Sequence, residues 1–439
     1  MITEKQLRQE IKEKIEKIYR LRKIRKKKFI PGKTWLQYAG SVMDDKEINA
    51  SVTSLLDEWF GLGKNARELE KRLAEFIGAK GSYLTNSGSS ANLLAIASLM
   101  SFSLKDRLRS EDEVITQACC FPTTVNPLVV YRLTPVFVDV SPETFTVEID
   151  DLEKALTKKT KAVVLAHILG NPNEMDKIVN FCKKNNLFLI EDNCDALGSE
   201  YNGKKTGSFG TFSTQSFYPP HHMTMGEGGA INYNDQRFER IAKSIRDWGR
   251  ACWCSGDEKR TWGACQARFN YSLDGKKHDH KYIFSQIGFN LKPIEPQAAM
   301  GVEQIKRLPI FMEKRKENFD RLYEYAKKWS KYFILPKSLP KAKPCWFAFP
   351  LTIRDEVRFT RHALVTFLEE RMIQTRPLFA GNITKQPAYA KIKYRKIGSL
   401  KNSDRILYNA LFLGVYPGIG NEEIDFMAES IEDFLKKNK

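Results

Sequence analysis

Apolar residues recur at helical spacing in some segments of the chain and form short continuous runs in others. The segments with helical spacing are 66–77, 90–103 and 175–184, and the apolar runs are 113–116, 135–140, 162–166 and 187–190. Helices and buried strands alternate in this way when a largely parallel β-sheet is covered by helices on both faces. The pattern therefore predicts an α/β fold.

The chain divides into three predicted parts. Residues 1–45 form a basic helical arm, and within it residues 4–28 place apolar side chains on one side of a helix and Lys, Arg and Glu on the others. Residues 46–300 form a large domain, and residues 301–439 form a smaller α+β domain. Residues 251–281 are polar, contain Gly and Cys and lack periodicity, so we expect a long loop there.

Composition and charge limit the class of protein. The 439 residues are 42% hydrophobic and 28% charged, which is typical of a globular chain. The formal net charge is +18, and residues 1–29 contain 12 Lys and Arg against four Glu. No helix-turn-helix, zinc-finger or stacking-aromatic motif accompanies this charge, so nucleic-acid binding is not favoured. The arm either lies on the body as a solvated helix or contacts a membrane surface or an acidic protein.

Two further features concern the compartment. The sequence has no run of 18 apolar residues, and its N-terminus lacks the apolar segment of a secretory signal peptide. Eight cysteines in a chain of this length are not typical of a disulfide framework. We therefore expect a cytoplasmic protein.

Two motifs could bind a charged ligand. The turn Ser87-Gly88-Ser89-Ser90 precedes an apolar helix, where backbone N–H groups and the helix dipole favour an anion, although Ser also caps helices for stability alone. The segment 187–198 is an apolar strand that ends in Glu191-Asp192. A carboxylate at that edge of a parallel sheet either pairs with a protonated ring nitrogen of a cofactor or simply forms a turn.

Four ordered segments resemble a known family. SGSSAN, EDNCDALG, SFYPPHHMTMGEGG and IGFNLKPIEPQAA resemble the sugar-nucleotide aminotransferases, and the resemblance covers about residues 46–439. It implies the type I fold of the pyridoxal-phosphate-dependent aspartate aminotransferases, with a mainly parallel seven-stranded sheet in the large domain. In that family a lysine before the T-x-G-E-G-G run binds the cofactor covalently, but this chain has His221 there.

The histidine is itself a signature of a branch of the family. It resembles the 3-dehydratases that act on CDP-4-keto-6-deoxy-glucose in the synthesis of lipopolysaccharide dideoxysugars. Histidine cannot hold the cofactor covalently, so pyridoxamine phosphate can remain the resting form. An imidazole with a pKa near ~6.5 is suited to moving a proton at neutral pH. The resemblance therefore implies that His221 is the catalytic base. His222 has no such match, so we expect it to be a polar neighbour.

The resemblance also implies roles for other residues. Gly88, Ser89 and Ser216 match binders of the cofactor phosphate, Asp192 matches the partner of the ring nitrogen, and Phe121 matches the aromatic that stacks on the ring. Asn290 matches a residue that reaches the phosphate from the neighbouring subunit, which implies a homodimer. The run TRPLFAGNITKQPAY carries Arg376 and Lys385, which either meet the nucleotide diphosphate or form surface salt bridges.

Four cysteines suggest an inorganic cofactor. Cys194 follows Asp192 by two residues, and Cys252, Cys254 and Cys265 lie in the predicted loop. Four thiolates are what a [2Fe–2S] cluster requires, although zinc accepts the same set. The layout resembles that of the iron–sulfur dehydrases of 3,6-dideoxysugar synthesis, except for a longer last interval. The other cysteines fit small buried side chains.

These expectations combine into one predicted activity. The chain removes the 3-hydroxyl of a nucleotide-linked 4-keto-6-deoxy sugar with pyridoxamine or pyridoxal phosphate. A [2Fe–2S] cluster carries electrons from an NAD(P)H-dependent flavin/iron–sulfur reductase, because the chain lacks a G-x-G-x-x-G nucleotide fingerprint of its own. The alternatives are a cluster-free dehydratase that uses glutamate and a catalytically inactive sugar-nucleotide sensor.

Overall fold

The computed structural model describes residues 2–24, 28–253 and 268–438. The helices are α1 (Glu4–Ile24), α2 (Asp45–Leu56), α3 (Lys64–Ile77), α4 (Gly88–Leu99), α5 (Pro122–Val130), α6 (Ile149–Ala155), α7 (Met175–Lys184), α8 (Phe238–Arg246), α9 (Glu295–Ala326), α10 (Arg361–Glu370), α11 (Lys401–Asn409) and α12 (Asn421–Lys437). The strands are β1 (Gly81–Thr85), β2 (Glu113–Gln117), β3 (Thr134–Val138), β4 (Thr160–Ala166), β5 (Phe188–Asp192), β6 (Glu200–Tyr201), β7 (Lys204–Lys205), β8 (Phe212–Ser216), β9 (Gly229–Tyr233), β10 (Tyr271–Leu273), β11 (Lys276–His278), β12 (Phe333–Ile334), β13 (Ala342–Lys343), β14 (Ala348–Ile353), β15 (Arg376–Pro377), β16 (Arg395–Lys396) and β17 (Ala410–Gly414). The predicted helices and strands of residues 66–190 form, and their ends shift by no more than about one helical turn.

The central sheet has the strand order β1-β9-β8-β5-β4-β2-β3-β16. Neighbouring strands from β8 to β16 are parallel, and β9 is antiparallel to both β1 and β8. The predicted α/β class is therefore confirmed, with one strand more than the seven expected. The additional strand, β16, is two residues long and comes from the C-terminal part of the chain. Such a short strand has no sequence pattern of its own, because it exists only through its pairing with β3.

The middle strands are buried on both faces, which explains their continuous apolar runs. In β4, Val163 and Leu165 pack into one hydrophobic core, whereas Ala162 and Val164 pack into another on the opposite face. Because successive side chains of a strand point to opposite faces, a run of apolar residues supplies both cores at once.

The C-terminal part of the chain is organised around a small antiparallel sheet and a long helix. The sheet has the order β12-β14-β17-β15, and every residue of β14 and β17 is buried. Helix α9 packs against α2, α3 and α12 and continues without a break through residue 300. The predicted boundary between residues 300 and 301 therefore falls inside a helix, and the division into domains remains a prediction.

The predicted loop 251–281 contains regular structure in its described part. Strands β10 and β11 form an antiparallel hairpin closed by Asp274 and Gly275, which both have positive φ. Asp-Gly is a typical two-residue hairpin turn, so the sequence carried a local signal for this hairpin. Residues 254–267 lie outside the described residues.

Helix α1 is attached to the body by few contacts. None of its residues is buried, and the guanidinium of Arg8 donates hydrogen bonds to the carboxylate of Asp57 and the carbonyl of Leu56. This placement agrees with a solvated helix that lies on the body. In the described ranges, no helix combines the length and the apolar composition needed to cross a bilayer.

Candidate active site

A cavity of about 980 Å³ lies at the carboxyl edge of the central sheet. Parallel strands end at the same edge, so the turns that follow β1, β2, β5 and β8 meet there. The opposite wall comes from residues 376–389 and from side chains on and beside β14 and β17. The predicted residues that line the cavity are Gly88, Ser89, Phe121, Asp192, Cys194, Ser216, His221 and Arg376.

The first wall of the cavity is the N-terminus of α4. The Ser87 side chain caps this helix by accepting a hydrogen bond from the backbone N–H of Ser90, at 3.1 Å. A Cβ on Gly88 would lie 2.7 Å from Cβ of Ser216 and 2.9 Å from Sγ of Cys194. The absence of a side chain at Gly88 therefore keeps open a cradle of backbone N–H groups at the positive end of a helix dipole.

Asp192 presents a fixed carboxylate at the end of β5. Its Oδ2 accepts hydrogen bonds from Nδ2 of Asn92 at 2.9 Å and from Oγ1 of Thr124 at 2.7 Å. Thr214 holds Asn92 in turn, because its hydroxyl donates to Oδ1 of Asn92 at 2.7 Å. The carboxylate is 6% exposed and faces the cavity. This arrangement suits a charge-assisted hydrogen bond to a protonated ring nitrogen.

The neighbouring carboxylate points away from the cavity. Glu191 accepts backbone N–H groups of Gly207, Phe209 and Gly210 at 2.7–2.8 Å. It also accepts a hydrogen bond from Nε2 of His167 at 3.1 Å, because Nδ1 of that ring accepts the backbone N–H of Asn173. Glu191 therefore fixes the turn that leads into β8.

His221 lies in the turn after β8 and lines the cavity. Its Nδ1 is 3.5 Å from Oδ1 of Asp195, and this atom has no hydrogen-bond partner among the described residues. The ring of Phe347 lies beside the imidazole, with 5.4 Å between ring centroids. Because Nδ1 is buried next to Asp195, Nε2 is the ring nitrogen suited to accept a proton from a ligand in the cavity.

The electrostatic surroundings keep His221 neutral. Burial and, to a lesser extent, the positive charge of Arg315 lower the pKa of His221 to about 4, against the opposing effects of Asp192 and of the backbone of Cys194. Burial and the nearby carboxylate of Asp192 together raise the pKa of Asp195 to about 7. A neutral imidazole is the form that a general base requires.

Aromatic residues and a cation form the opposite wall. Phe379 packs edge-to-face on Phe121, with 6.1 Å between ring centroids. The guanidinium of Arg376 lies 4.7 Å above the ring of Tyr38 and donates to the carbonyl of Thr375 at 2.8 Å. Arg376 lines the cavity, so its guanidinium is placed at a wall where an anionic group of a ligand would meet a cation.

Two predicted residues are not among those that line the cavity. Lys385 pairs with Asp404, with 3.1 Å between Nζ and Oδ2, as in the surface-salt-bridge alternative. Asn290 is exposed, and its backbone forms an antiparallel bridge with Asp247. An exposed Asn290 is compatible with a contact to a neighbouring subunit.

The four predicted cluster ligands are only partly described. Cys194 lines the cavity, and Cys252 is half-buried in the segment after α8. Cys254 and Cys265 lie outside the described residues. Within the described ranges, no group of three or more His, Cys, Asp or Glu side chains is placed to hold a metal ion. The cysteine set therefore remains a prediction.

Several residues of the site were missed by the sequence reasoning. His167 lines the cavity directly after β4, and a polar residue at the carboxyl end of a predicted parallel strand was a usable signal. Tyr38, Phe347 and Phe412 also line it, but they lie far from the motifs in the sequence and carry no local signal. Tyr389, whose hydroxyl bonds Oδ1 of Asn126, ends the run TRPLFAGNITKQPAY.

The residues present fit a pyridoxal-type cofactor. The cradle at Gly88 and Ser216 is suited to a phosphate, and the carboxylate of Asp192 is suited to accept a hydrogen bond from a ring N–H group. Phe121 is 52% exposed beside these groups and offers a ring face for stacking. His221 lines the cavity in the turn where the family places its lysine, so the cofactor would be held without a covalent bond.

Comparisons with known proteins identify the family. The model of the DegT/DnrJ/EryC1/StrS aminotransferase family matches residues 42–432. The chain is 45% identical over 413 residues to a dTDP-4-dehydro-2,6-dideoxy-D-glucose 3-dehydratase of Saccharopolyspora spinosa, which covers 93% of this chain and 88% of that protein. It is 43% identical over 415 residues to the lipopolysaccharide biosynthesis protein RfbH of Salmonella typhimurium, with 94% of each chain covered.

Solved structures give the same result for the fold. The structure of an E. coli GDP-4-keto-6-deoxy-D-mannose-3-dehydratase with bound hydrated PLP has a TM-score of 0.81 and 30% identity, and covers 90% of this chain and 99% of that chain. The structure of a mutant GDP-4-keto-6-deoxymannose-3-dehydratase with bound GDP-perosamine has a TM-score of 0.80 and 29% identity, with 91% and 100% covered. The chain therefore belongs to the DegT/DnrJ/EryC1/StrS aminotransferase family and has the type I fold of pyridoxal-phosphate-dependent enzymes.

Proposed function

We propose that this protein removes the 3-hydroxyl of CDP-4-keto-6-deoxy-D-glucose, with pyridoxamine or pyridoxal phosphate as cofactor, in the synthesis of a 3,6-dideoxyhexose. The observation that carries the proposal is His221, a neutral imidazole inside the cavity in place of the family's lysine. The relatives named as 3-dehydratases support the same reaction.

The proposed mechanism assigns each residue a task at a stated atom. The bound cofactor supplies an electron sink for the chemistry at C3 and C4 of the sugar. Gly88, Ser89 and Ser216 bind its phosphate, and Asp192 keeps its ring nitrogen protonated. Nε2 of His221 would accept the proton whose removal drives electrons toward C3 and would return a proton to the departing C3 hydroxyl, so that the oxygen leaves as water.

We propose that Cys194, Cys252, Cys254 and Cys265 hold a [2Fe–2S] cluster. Loss of water followed by saturation at C3 consumes two electrons and two protons. An NAD(P)H-dependent flavin/iron–sulfur reductase is the proposed electron donor, because this chain has no dinucleotide fingerprint. Cys194 supports this arrangement, since it lines the cavity two residues after Asp192.

We also make proposals on how the nucleotide of the substrate is bound and on how the chains assemble. Arg376 is proposed to bind the nucleotide diphosphate, and Lys385 is a second candidate if it releases Asp404. Relatives are named for dTDP and GDP sugars, so the cytidine base must be tested against both. We also propose a homodimer in which Asn290 reaches the cofactor phosphate of the neighbouring subunit.

The reaction is tested by incubating CDP-4-keto-6-deoxy-D-glucose with the enzyme, NADH and such a reductase, and omitting each in turn. We expect loss of the C3 oxygen only when all are present. His221→Asn should lower the rate by at least about 10²-fold, whereas the exposed His362→Asn should leave it unchanged. Formation of product from glutamate without a reductase would instead support the cluster-free dehydratase. No turnover of any nucleotide sugar would support the inactive sensor.

The cluster is tested by anaerobic purification with iron and sulfide analysis and EPR before and after reduction with dithionite. Two irons and two sulfides per chain, with a signal that appears on reduction, are expected. Cys252→Ser and Cys194→Ser should lose the iron. Cys182→Ser, which changes a buried thiol of α7, should retain it. Zinc in place of iron would contradict the proposal.

A further inference from the structure

A buried arginine lies behind the catalytic turn. Arg315 belongs to α9 and is 1% exposed, yet its hydrogen bonds go to backbone carbonyls and not to carboxylates. Its Nε has no hydrogen-bond partner among the described residues. Burial of a guanidinium costs free energy unless its N–H groups donate hydrogen bonds. The carbonyls that accept these bonds therefore show which parts of the protein Arg315 holds in place.

The guanidinium holds both peptide groups that flank His221. Nη2 donates to the carbonyls of Pro220 and His221, at 3.1 Å each. These carbonyls belong to the peptide groups before and after the Cα atom of His221. Because peptide groups are planar, fixing both sets φ and ψ of His221 and hence the direction of its Cα–Cβ bond.

The same guanidinium also holds the wall against which the imidazole packs. Nη1 donates to the carbonyl of Phe347 at 2.9 Å, and the ring of Phe347 is the one that lies beside His221. One planar group from α9 therefore ties the catalytic turn after β8 to the strand region before β14. The rigid fork of an arginine can reach carbonyls in several directions, whereas a lysine ammonium is a single point.

We infer that Arg315 is a positioning residue that sets the backbone of His221 and the packing of Phe347 on it. This inference rests on the proposed role of His221 as the base. Arg315 is not among the residues that line the cavity, so it acts on His221 through these hydrogen bonds and through its positive charge. Arg315→Lys keeps the charge and removes the planar fork, so a loss of rate in that variant reports the positioning role.

The inference is tested with Arg315→Met and Arg315→Lys, and with Arg321→Met as the matched control. Arg321 lies on the same helix, but it is a surface residue that pairs with Asp425. We expect Arg315→Met to lower kcat by about 10²-fold and Arg315→Lys by about tenfold, because small displacements of a catalytic group have effects of this size. KM and the Kd of pyridoxamine phosphate should stay within about threefold, since the cradle and Asp192 are unchanged. Arg321→Met should match the wild type.

A double variant shows whether Arg315 acts through His221. In a His221→Asn background, Arg315→Met should cause no further loss of rate, because there is no base left to position. An equal loss in both backgrounds would overturn the inference. If Arg315→Met does not fold, as judged by near-UV circular dichroism, an unchanged kcat in Arg315→Lys would overturn it as well.

A chemical measurement separates this inference from the proposed function. The rate at which diethyl pyrocarbonate modifies His221, followed by peptide mass spectrometry, does not depend on any substrate. The side chain of His221 is 15% exposed, and release of its turn in Arg315→Met should raise the rate at least about threefold. An unchanged rate would contradict the positioning role. Full activity of His221→Asn would contradict only the proposed function.

Discussion

Glu191 and Asp192 are neighbours at the end of β5, but their carboxylates have different surroundings. Glu191 is surrounded by backbone N–H groups and fixes a turn, whereas Asp192 is held by two side chains and faces the cavity. His221 and His222 differ in the same way, because Nε2 of His222 lies 2.8 Å from the carbonyl oxygen of Cys345. In each pair, one side chain lines the cavity and the other binds backbone groups of the surrounding protein.

The cofactor cradle depends on the missing side chain at Gly88. In Gly88→Ala, the new Cβ would meet Ser216 and Cys194 at less than 3 Å, so α4 and the turns around it must shift. We expect the Kd of pyridoxamine phosphate to rise by at least about tenfold, measured by fluorescence titration. Gly61→Ala is the control, because a Cβ there meets no atom within 4 Å. An unchanged Kd in Gly88→Ala would mean that the phosphate binds elsewhere.

At the scale of elements, the ion pair between Arg395 of β16 and Glu113 of β2 links the C-terminal part of the chain to the central sheet. Arg395 of β16 donates to both carboxylate oxygens of Glu113 in β2, at 2.7 and 2.9 Å, and the Glu113 side chain is 8% exposed. Burial raises the pKa of Glu113, but the hydrogen bonds from Arg395 and Thr157 outweigh it and lower the pKa overall. The ion pair with Glu113 therefore adds a side-chain link to β2, beside the backbone pairing of β16 with β3.

Glu113→Gln should lower the free energy of unfolding by about 1–3 kcal/mol at pH 7, because it removes a charged partner from Arg395. A carboxylate whose pKa is lowered by folding stabilises the protein above its unfolded pKa, and that stability is lost as the pH falls through the folded pKa. The difference between wild type and variant in urea unfolding should therefore shrink below about pH 4.

Glu111→Gln is the matched control for this prediction. Glu111 pairs with Lys393 across the same region, but both side chains are more than half exposed. We expect this substitution to change unfolding very little at either pH, because solvent screens exposed pairs. A difference between wild type and Glu113→Gln that stays constant with pH would contradict the ionic explanation.

Helix α1 contributes little to the stability of the body. It has no buried residue, and Arg8 donates hydrogen bonds to Leu56 and Asp57 at the C-terminal end of α2. Removal of residues 1–24 should lower Tm by less than about 2 °C and leave cofactor binding intact, as measured by scanning fluorimetry and titration. Arg8→Ala tests the contribution of the hydrogen bonds from Arg8 to Leu56 and Asp57 alone. A large loss of Tm would show that the arm is part of the fold, and a loss confined to reductase-dependent turnover would show that it docks the partner.

At the scale of the whole molecule, the cavity is built from two distant parts of the chain. The carboxyl ends of the sheet strands supply the cradle, Asp192 and His221, and residues 376–389 with β17 supply the aromatic wall. A phosphate-binding residue from a neighbouring subunit would complete this site. The aromatic side chain of Tyr218, which is 49% exposed, lies at the cavity and is suited to a subunit contact.

The proposed dimer predicts a specific complementation. Asn290→Ala and His221→Asn should each be inactive or nearly so, because each damages every site of its own homodimer. In a hybrid dimer, one site combines both defects and the other has neither. Equal mixing after reversible dissociation should therefore restore about a quarter of wild-type activity, as expected for a two-fold symmetric dimer. A mixture with no regained activity would show that Asn290 does not act across subunits.

The sequence by itself determined the sheet class and most residues of the first cavity wall. Parallel strands with continuous apolar runs must end at a common edge, so Asp192 could be placed at that edge from its position at the end of a predicted strand. Gly88, Ser216 and His221 were assigned to the same site by the resemblance of their motifs to the family. The motifs around them lie within short segments, and local pattern is sufficient to recognise such segments.

Only the tertiary structure decided that Tyr38, Phe347 and Phe412 join Arg376 in the opposite wall of the cavity and that Lys385 forms a salt bridge. The same holds for the pairing of β16 with β3 and the location of Arg315 behind His221. Each of these depends on residues that are far apart in the chain, such as Arg315 and His221. A side chain of α9 has the same local sequence whether it faces solvent or a backbone carbonyl 94 positions away. How α9 packs against the rest of the protein determines whether such a side chain faces solvent or the carbonyl. The local hydrophobic pattern does not predict this, because it depends on tertiary contacts.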